Sequence, residues 1–306
     1  MTKTDINSGS LTQLSPLVTR LIAPNSGAFT YTGTCTYIIG RDTLSIIDPG
    51  PECSVHFAAL LKAVNGRYIS HILVTHTHKD HSSLARQLSA ATGAPVWGCD
   101  SHFASRPLFG GEINRLQGSC DIFYTPDRVL EQGDVVKGQD YSLEVVATPG
   151  HTMNHLSFVL NEENTLFCGD HVMGWSTTII APPDGNMAAY MASLNVLNAC
   201  NSTIYYPGHG AEITQPKRLV RGIIMHRKQR EQAIYDKLKT GDTLIKDITL
   251  KLYQHLPPTL LGGAMLSVFA HIEHLLSKGL IQCADEPTID KRYYINSNQS
   301  LDFKRK

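Results

Sequence analysis

Apolar residues in the first two-thirds of the chain fall in short unbroken runs, and four of those runs end in a histidine or an aspartate. Ile72-Leu73-Val74 leads into His76-Thr77-His78-Lys79-Asp80-His81. Such a run, β-branched or apolar throughout with no polar alternation, predicts a strand covered on both faces. Residues 143–147 predict another strand, which ends in Thr148-Pro149-Gly150-His151-Thr152-Met153-Asn154-His155. Residues 165–168 run into Gly169-Asp170-His171, and residues 203–206 into Pro207-Gly208-His209-Gly210. Beyond residue 215 the spacing becomes helical. Residues 216–238 predict a long helix, 243–253 a second, and 260–276 a third with apolar positions at Leu266, Phe269, Ile272, Leu275 and Leu276. Lys278-Gly279 stops that helix, and residues 280–283 and 291–295 predict a two-stranded wing. The expected organisation is one domain over 1–215 and a small helical, winged-helix-like domain over 216–306.

The strand-end residues carry the chemistry. In an extended segment His76 and His78 point the same way, while Asp80 and His81 lie past the bend and serve a second position. Three His and one Asp within six residues are too dense to be packing. Taken together, the four units supply His76, His78 and His151 for one ion, Asp80, His81 and His209 for another, and Asp170 as a carboxylate able to bridge them. Three protein ligands and a shared carboxylate leave each ion an open position, as in catalytic rather than structural sites. Nitrogen and oxygen ligands without thiolate predict two divalent ions, zinc first, with manganese or iron(II) as alternatives. His102, His171, His255 and His274 belong to no such unit and are expected on the surface or in the core.

Composition adds three constraints. At 306 residues and 42% hydrophobic content the chain can bury a large core and a smaller second one. Its seven cysteines are scattered with no Cys-x-x-Cys pair, which predicts reduced thiols. Residues 1–24 hold no signal-like apolar stretch and no later segment approaches a membrane span, so a cytoplasmic protein without a membrane partner is expected. The net charge of +0 conceals an asymmetry, with 11 Lys and Arg against 17 Asp and Glu in residues 1–210, and 16 against 10 in residues 211–306. Contacts to an anionic substrate therefore belong to the C-terminal part, if anywhere.

The sequence resembles the metallo-β-lactamase-fold hydrolase superfamily. Residues 76–81 meet its His-x-His-x-Asp-His signature, and His151, Asp170 and His209 match its later ligand positions. The resemblance implies an α+β fold, an αββα sandwich with a dinuclear site at one edge of its two sheets. It also makes residues 36–39 and 44–50 the opening hairpin, with Asp48 behind the metal ligands.

Within the superfamily the chain is similar to the β-lactamase-like-protein-2 branch, which adds a C-terminal winged-helix-like domain. The residues that carry this are Gly33-Thr34 with Thr36-Tyr37, Gly174 with Ser176-Thr177-Thr178, Pro207-Gly208-His209-Gly210, and His226-Arg227 with Arg230-Glu231. Two positions depart from the branch pattern: Cys35 stands where Asn is common, and Asn154 where Asp is common. The implied reaction is hydrolysis of a phosphodiester in single-stranded RNA by a hydroxide generated between two ions. The alternative is a small ester, thioester or lactone, with the C-terminal helices as a lid. Asp80 is expected to orient the nucleophile or handle its proton, and His155 is a weaker catalytic candidate, contacting substrate or else supporting the ligands from behind. Thr177, Thr178 and His226 are expected to border the substrate cleft. Sequence-specific DNA binding is discounted because residues 260–276 carry few cations, and defence against β-lactams because no export signal is evident.

Overall fold

A computed structural model describes residues 7–296 of the protein. Two sheets dominate it. The first has seven strands in sequential order: β1 (Leu11–Gln13), β2 (Val18–Ile22), β3 (Cys35–Ile39), β4 (Thr43–Ile47), β5 (Tyr68–Val74), β6 (Val96–Gly98) and β7 (Arg128–Val129). Pairing is antiparallel as far as β4 and parallel from there on. Helix α1 (Ser54–Val64) makes the first parallel step, α2 (Lys79–Ser82) and α3 (Ala85–Thr92) the second, and the long loop 99–127 the third. The second sheet has the order β12-β11-β10-β9-β8, from β8 (Val135–Lys137), β9 (Ser142–Ala147), β10 (Leu156–Leu160), β11 (Thr165–Gly169) and β12 (Ile204–Pro207). Helix α4 (Met187–Ala199) connects β11 to its parallel neighbour β12.

The unbroken apolar runs follow from covering both faces of these sheets. One apolar cluster joins Ile39 and Leu73 of the first sheet to Leu143, Phe158 and Phe167 of the second, and extends to Leu60 of α1 and Leu88 of α3. Another lies on the far face of the second sheet, where Leu166 and Cys168 meet Leu194 of α4 and Val220 and Ile223 of α5 (Pro216–Lys239). Successive residues of β11 thus enter different cores, and all five are buried. Each fully buried Leu or Phe contributes about 1.5–3 kcal/mol. The sandwich with helices outside both sheets is the α+β architecture expected. The chain begins earlier than the hairpin read from sequence, however, because β1 and β2 add to the edge of the first sheet through β3.

Past α5 come α6 (Ile245–Leu252), α7 (Leu261–Ser277) and a two-stranded sheet of β13 (Ile281–Cys283) and β14 (Tyr293–Ile295). Pro216 opens α5, where its missing N–H is no loss. A further apolar cluster holds these elements together through Ile234, Ile248, Phe269, Ile272 and Tyr293, and takes in Ala181 from the loop before α4. The expectation that no segment approaches a membrane span is corrected here: residues 258–277 form 20 residues of helix with mean hydropathy 1.3. Their apolarity has a local cause, since Leu266, Val268, Phe269, Ala270, Ile272 and Leu275 pack inside the protein.

Candidate metal centre

Strand β10 is antiparallel to both β9 and β11, and β12 is parallel to β11, so β9, β11 and β12 run the same way. Their C-terminal ends release His151, Asp170 and His209 at one edge of the sheet. The loop after β5 brings His76 and His78 to the same edge, and α2 carries Asp80 and His81. Backbone bonds lock the sheets together there: Leu156 donates to the Thr75 carbonyl at 2.8 Å, and Cys35 to that of Gly208 at 2.8 Å. Gly208 admits no side chain, since a Cβ would lie 2.3 Å from Asp170 Oδ1 and 2.7 Å from His81 Cε1.

The hydrogen bonds made behind each imidazole fix which nitrogen faces the centre. Asp48 accepts from the Thr75 backbone and hydroxyl, each at 2.8 Å, and from His81 Nδ1 at 2.8 Å. Because the Thr75 hydroxyl donates to Asp48, it accepts from His76 Nδ1 at 2.9 Å. His151 Nδ1 donates to the Ile179 carbonyl at 2.8 Å. His76 and His151 are therefore left with Nε2 lone pairs, which lie 3.1 and 3.0 Å from His78 Nδ1. Facing lone pairs at that separation repel unless a proton or a cation lies among them. His81 Nε2 and Asp170 Oδ1 are also buried without a hydrogen-bond partner among the described residues. Unpartnered buried ligand atoms among imidazoles and carboxylates fit divalent cations.

Two groups of ligand atoms result, each with all its members within 4.8 Å of one another: His76, His78, His151 and Asp170, and Asp80, His81 and His209. Asp170 Oδ2 lies 3.7 Å from His151 Nε2 and 3.3 Å from His209 Nε2, the place of a bridging carboxylate. Electrostatics differ between the groups. Burial, reinforced by neighbouring histidines, holds His76 well below the ordinary histidine range and His78 at about 3, and burial also lowers His151. In the second group burial again opposes charge, but Asp80 and Asp170 outweigh it and hold His81 well above its ordinary value. Asp170 and Asp80 likewise raise His209 to about 9. Both carboxyls lie well below their ordinary range, since His81 and His209 overcome the cost of burying them.

A family model for the metallo-beta-lactamase superfamily matches residues 29–209, the span that carries every one of these ligands. The chain belongs to the metallo-β-lactamase superfamily. Over 88% of its length, and 88% of the relative's, it is 30% identical to a beta-lactamase-like protein 2 homolog from Caenorhabditis elegans. It is 31% identical to thioesterase pkgB from Emericella nidulans over 72% of this chain and 59% of that one. Among solved structures, a beta-lactamase domain protein from Burkholderia ambifaria superposes with a TM-score of 0.78 at 19% identity, covering 94% of both chains. A metallo-beta-lactamase family protein from Thermus thermophilus gives 0.74 at 20%, covering 93% of this chain and 100% of that one. The superfamily fold is shared along nearly the whole chain, and the superfamily's His and Asp cluster is capable of binding metal ions.

The superfamily motif thus brings all seven expected ligands together, and two of the other expected site residues, His155 and Thr178, are buried behind them. His155 is buried behind the ligands: its Nε2 accepts from the Asp170 backbone at 3.2 Å and its Nδ1 donates to Thr148 at 2.8 Å. With both nitrogens engaged it holds Asp170 in place. Thr178 is buried, its hydroxyl donating to the Asp170 carbonyl at 2.7 Å, so it too supports the centre from inside. Thr177 stays exposed, and His226 is half-buried with an enclosed Nδ1 that has no partner among the described residues.

Sequence reasoning missed three supports. Asp184 accepts from His102 Nε2 at 3.2 Å and from Asn114 at 2.9 and 3.0 Å, and the other nitrogen of His102 meets the Thr77 hydroxyl at 3.0 Å. Thr77 sits between two metal ligands, so this chain of bonds steadies their loop. Asn154, where the branch favours Asp, donates to Thr77 at 3.0 Å and to the Asp100 carbonyl at 2.8 Å, which a carboxylate cannot do. Arg227 is buried, donates to the Thr178 carbonyl and lies 5.3 Å from the Tyr190 ring. The only signal for these roles is residue type, because each partner is distant in the chain.

Proposed function

We propose that this superfamily hydrolase cleaves a thioester or a related small ester with a pair of divalent ions, zinc in preference. The observation that carries the choice is the position of the cations beside the centre. Arg227 is turned inward onto Thr178 and Tyr190, Arg230 lies over the Tyr253 ring at 4.3 Å, and Lys228 is exposed on the outer surface of α5. A phosphate backbone needs a track of accessible cations, and these three residues do not make one. Relatives named as thioesterases add support, among them an atrochrysone carboxyl ACP thioesterase from Aspergillus terreus that is 29% identical over 72% of this chain.

Bound ions would supply a hydroxide nucleophile near neutral pH and polarise the carbonyl oxygen under attack. Asp80 is the most open of the second-group residues, its side chain 26% exposed against 0 and 2% for His81 and His209. Thr34 donates to Asp80 Oδ2 at 2.9 Å, which leaves Oδ1 to take the proton of the attacking water and return it to the thiolate that leaves. Asp48, Thr75 and the Ile179 carbonyl hold the imidazoles in the tautomers this needs. Helices α5–α7 with the β13–β14 hairpin act in this reading as a winged-helix-like lid, and the reduced thiols accord with a cytoplasmic setting.

Cleavage of single-stranded RNA is the second reading, favoured by the positive balance of residues 211–306. Hydrolysis of an acyl N-acetylcysteamine thioester and of a labelled single-stranded RNA by metal-loaded protein, with His76→Ala as control, decides between them. Thioester turnover that His76→Ala abolishes, without RNA cleavage, is the expected result. RNA cleavage lost in the same variant, without thioester turnover, would replace the proposal.

A further inference from the structure

One cavity lies beside the metal centre and not in it. It is a groove of about 590 Å³ that starts at Trp175, runs along residues 211–215 and ends against the first turns of α5. Ligand pockets occupy roughly 300–1,000 Å³. Trp175 forms one wall and stacks on Tyr31 with ring centroids 5.0 Å apart and planes 15° from parallel. The wall is anchored to the catalytic edge, because a Cβ on Gly210, the residue after His209, would lie 2.8 Å from the indole. Ile213 and Leu219 give the groove apolar lining, and Arg218 is exposed at its α5 side.

Two features are unexplained by folding alone. The indole Nε1 of Trp175 is buried and has no hydrogen-bond partner among the described residues. An unmet buried donor is costly unless something accepts from it. The second is Gly222, inside α5 and lining the groove, where an added Cβ would find no atom within 4 Å. A glycine in a helix interior is less favourable than alanine, and packing does not require this one. Its effect is to keep the groove wall open.

We propose that this groove is the acyl-binding subsite, and that it selects a planar aromatic acyl group bearing an oxygen substituent. The thioester carbonyl would reach the adjacent ligand loop past Gly210. The aromatic plane lies against the Tyr31–Trp175 wall, an oxygen accepts from Trp175 Nε1, and Arg218 favours acidic or phenolic substituents at the far end. This assignment rests on the thioesterase reading, so its test has one arm that depends on turnover and one that does not.

The turnover arm compares kcat/KM for 6-hydroxy-2-naphthoyl and acetyl thioesters of N-acetylcysteamine. The ratio, aromatic over acetyl, is expected to fall about tenfold in Gly222→Leu, which fills the groove from an open position, and less in Gly222→Ala. A ratio unchanged in Gly222→Leu overturns the subsite. The binding arm follows the two indole N–H resonances of the protein during titration with 6-hydroxy-2-naphthoic acid, Trp97→Phe supplying the assignment. The Trp175 signal is expected to shift in the wild type and to stay fixed in Gly222→Leu. Absence of any thioester turnover, with the Trp175 shift present, removes the thioesterase reading and leaves the aromatic groove standing. Absence of the shift in the wild type removes the groove. Thermal melts check the variants, and Gly222→Ala is expected to melt no lower than the wild type.

Discussion

The two ligand groups stand side by side yet hold their histidines in opposite states. His76 and His151 are backed by a hydroxyl and a backbone carbonyl, and with His78 they crowd one another, so burial keeps all three neutral. His81 and His209 face Asp80 and Asp170, and His81 is backed by Asp48 as well, so in the absence of a cation they hold protons. The first group is ready for a metal; the second must release protons to receive one. Equal numbers of ligands therefore do not mean equal sites, and the placement of carboxylates decides the difference.

The largest expected effect comes from removing the bridge. Asp170→Ala takes a ligand from the first group and the counter-charge from the second, and should lower kcat/KM by at least about 10³-fold, with metal content by mass spectrometry falling in parallel. Retention of two ions in that variant would break the shared-carboxylate picture.

Next comes pH. The His209 pKa of about 9 lies above the ordinary 6.5, so its proton is still bound at neutral pH and must be displaced by the metal. Affinity at the second group should then fall about tenfold per displaced proton for each pH unit below about 9. His78, at about 3, holds no proton to displace, and the first group should keep its affinity from about pH 5 to 8. Dialysis at a series of pH values should thus release one ion well before the other. Loss of both together would show that the groups act as one.

A sharper variant is Asp48→Asn, which keeps the shape behind His81 but not the charge. Metal affinity at the second group should drop about 10–100-fold, with a smaller loss at the first, because the Thr75 hydroxyl that holds His76 also donates to Asp48; competition with a chromogenic chelator measures both. The smallest effect is expected from His102→Ala. Its bonds to Thr77 and Asp184 steady the first group's loop, and their loss should cost about 1–3 kcal/mol, read as a lower melting temperature.

Strand ends that stop at His or Asp are legible because a buried strand needs an apolar run, and the residue after it is free to serve chemistry. The loops at 76–81, 151, 170 and 209 follow that rule, and all meet. The helices after residue 215 are equally legible, since their apolar spacing matches the faces that pack in the C-terminal cluster. Short strands such as β1 carry too few residues for a pattern, and β1 is exposed at two of its three positions. Roles set by partners far along the chain leave no local mark: Thr178 reads as a cleft residue and is a buried support, and nothing near Arg227 in sequence marks it as an internal donor. Asn154 shows the same limit, because its use as a donor becomes visible only once Asp100 and Thr77 are beside it.

The loop between β11 and α4 belongs to both ends of the molecule. Its Ile179 carbonyl orients His151, its Thr178 carbonyl receives Arg227, and Ala181 is buried among the C-terminal helices. In evolutionary terms the C-terminal segment is no detachable accessory. A recombination event joining residues 1–215 to a foreign tail would inherit a catalytic loop cut for a partner it no longer has. Change in the tail and change in this loop should therefore be selected as a pair, and lineages that diversify their substrates should alter both.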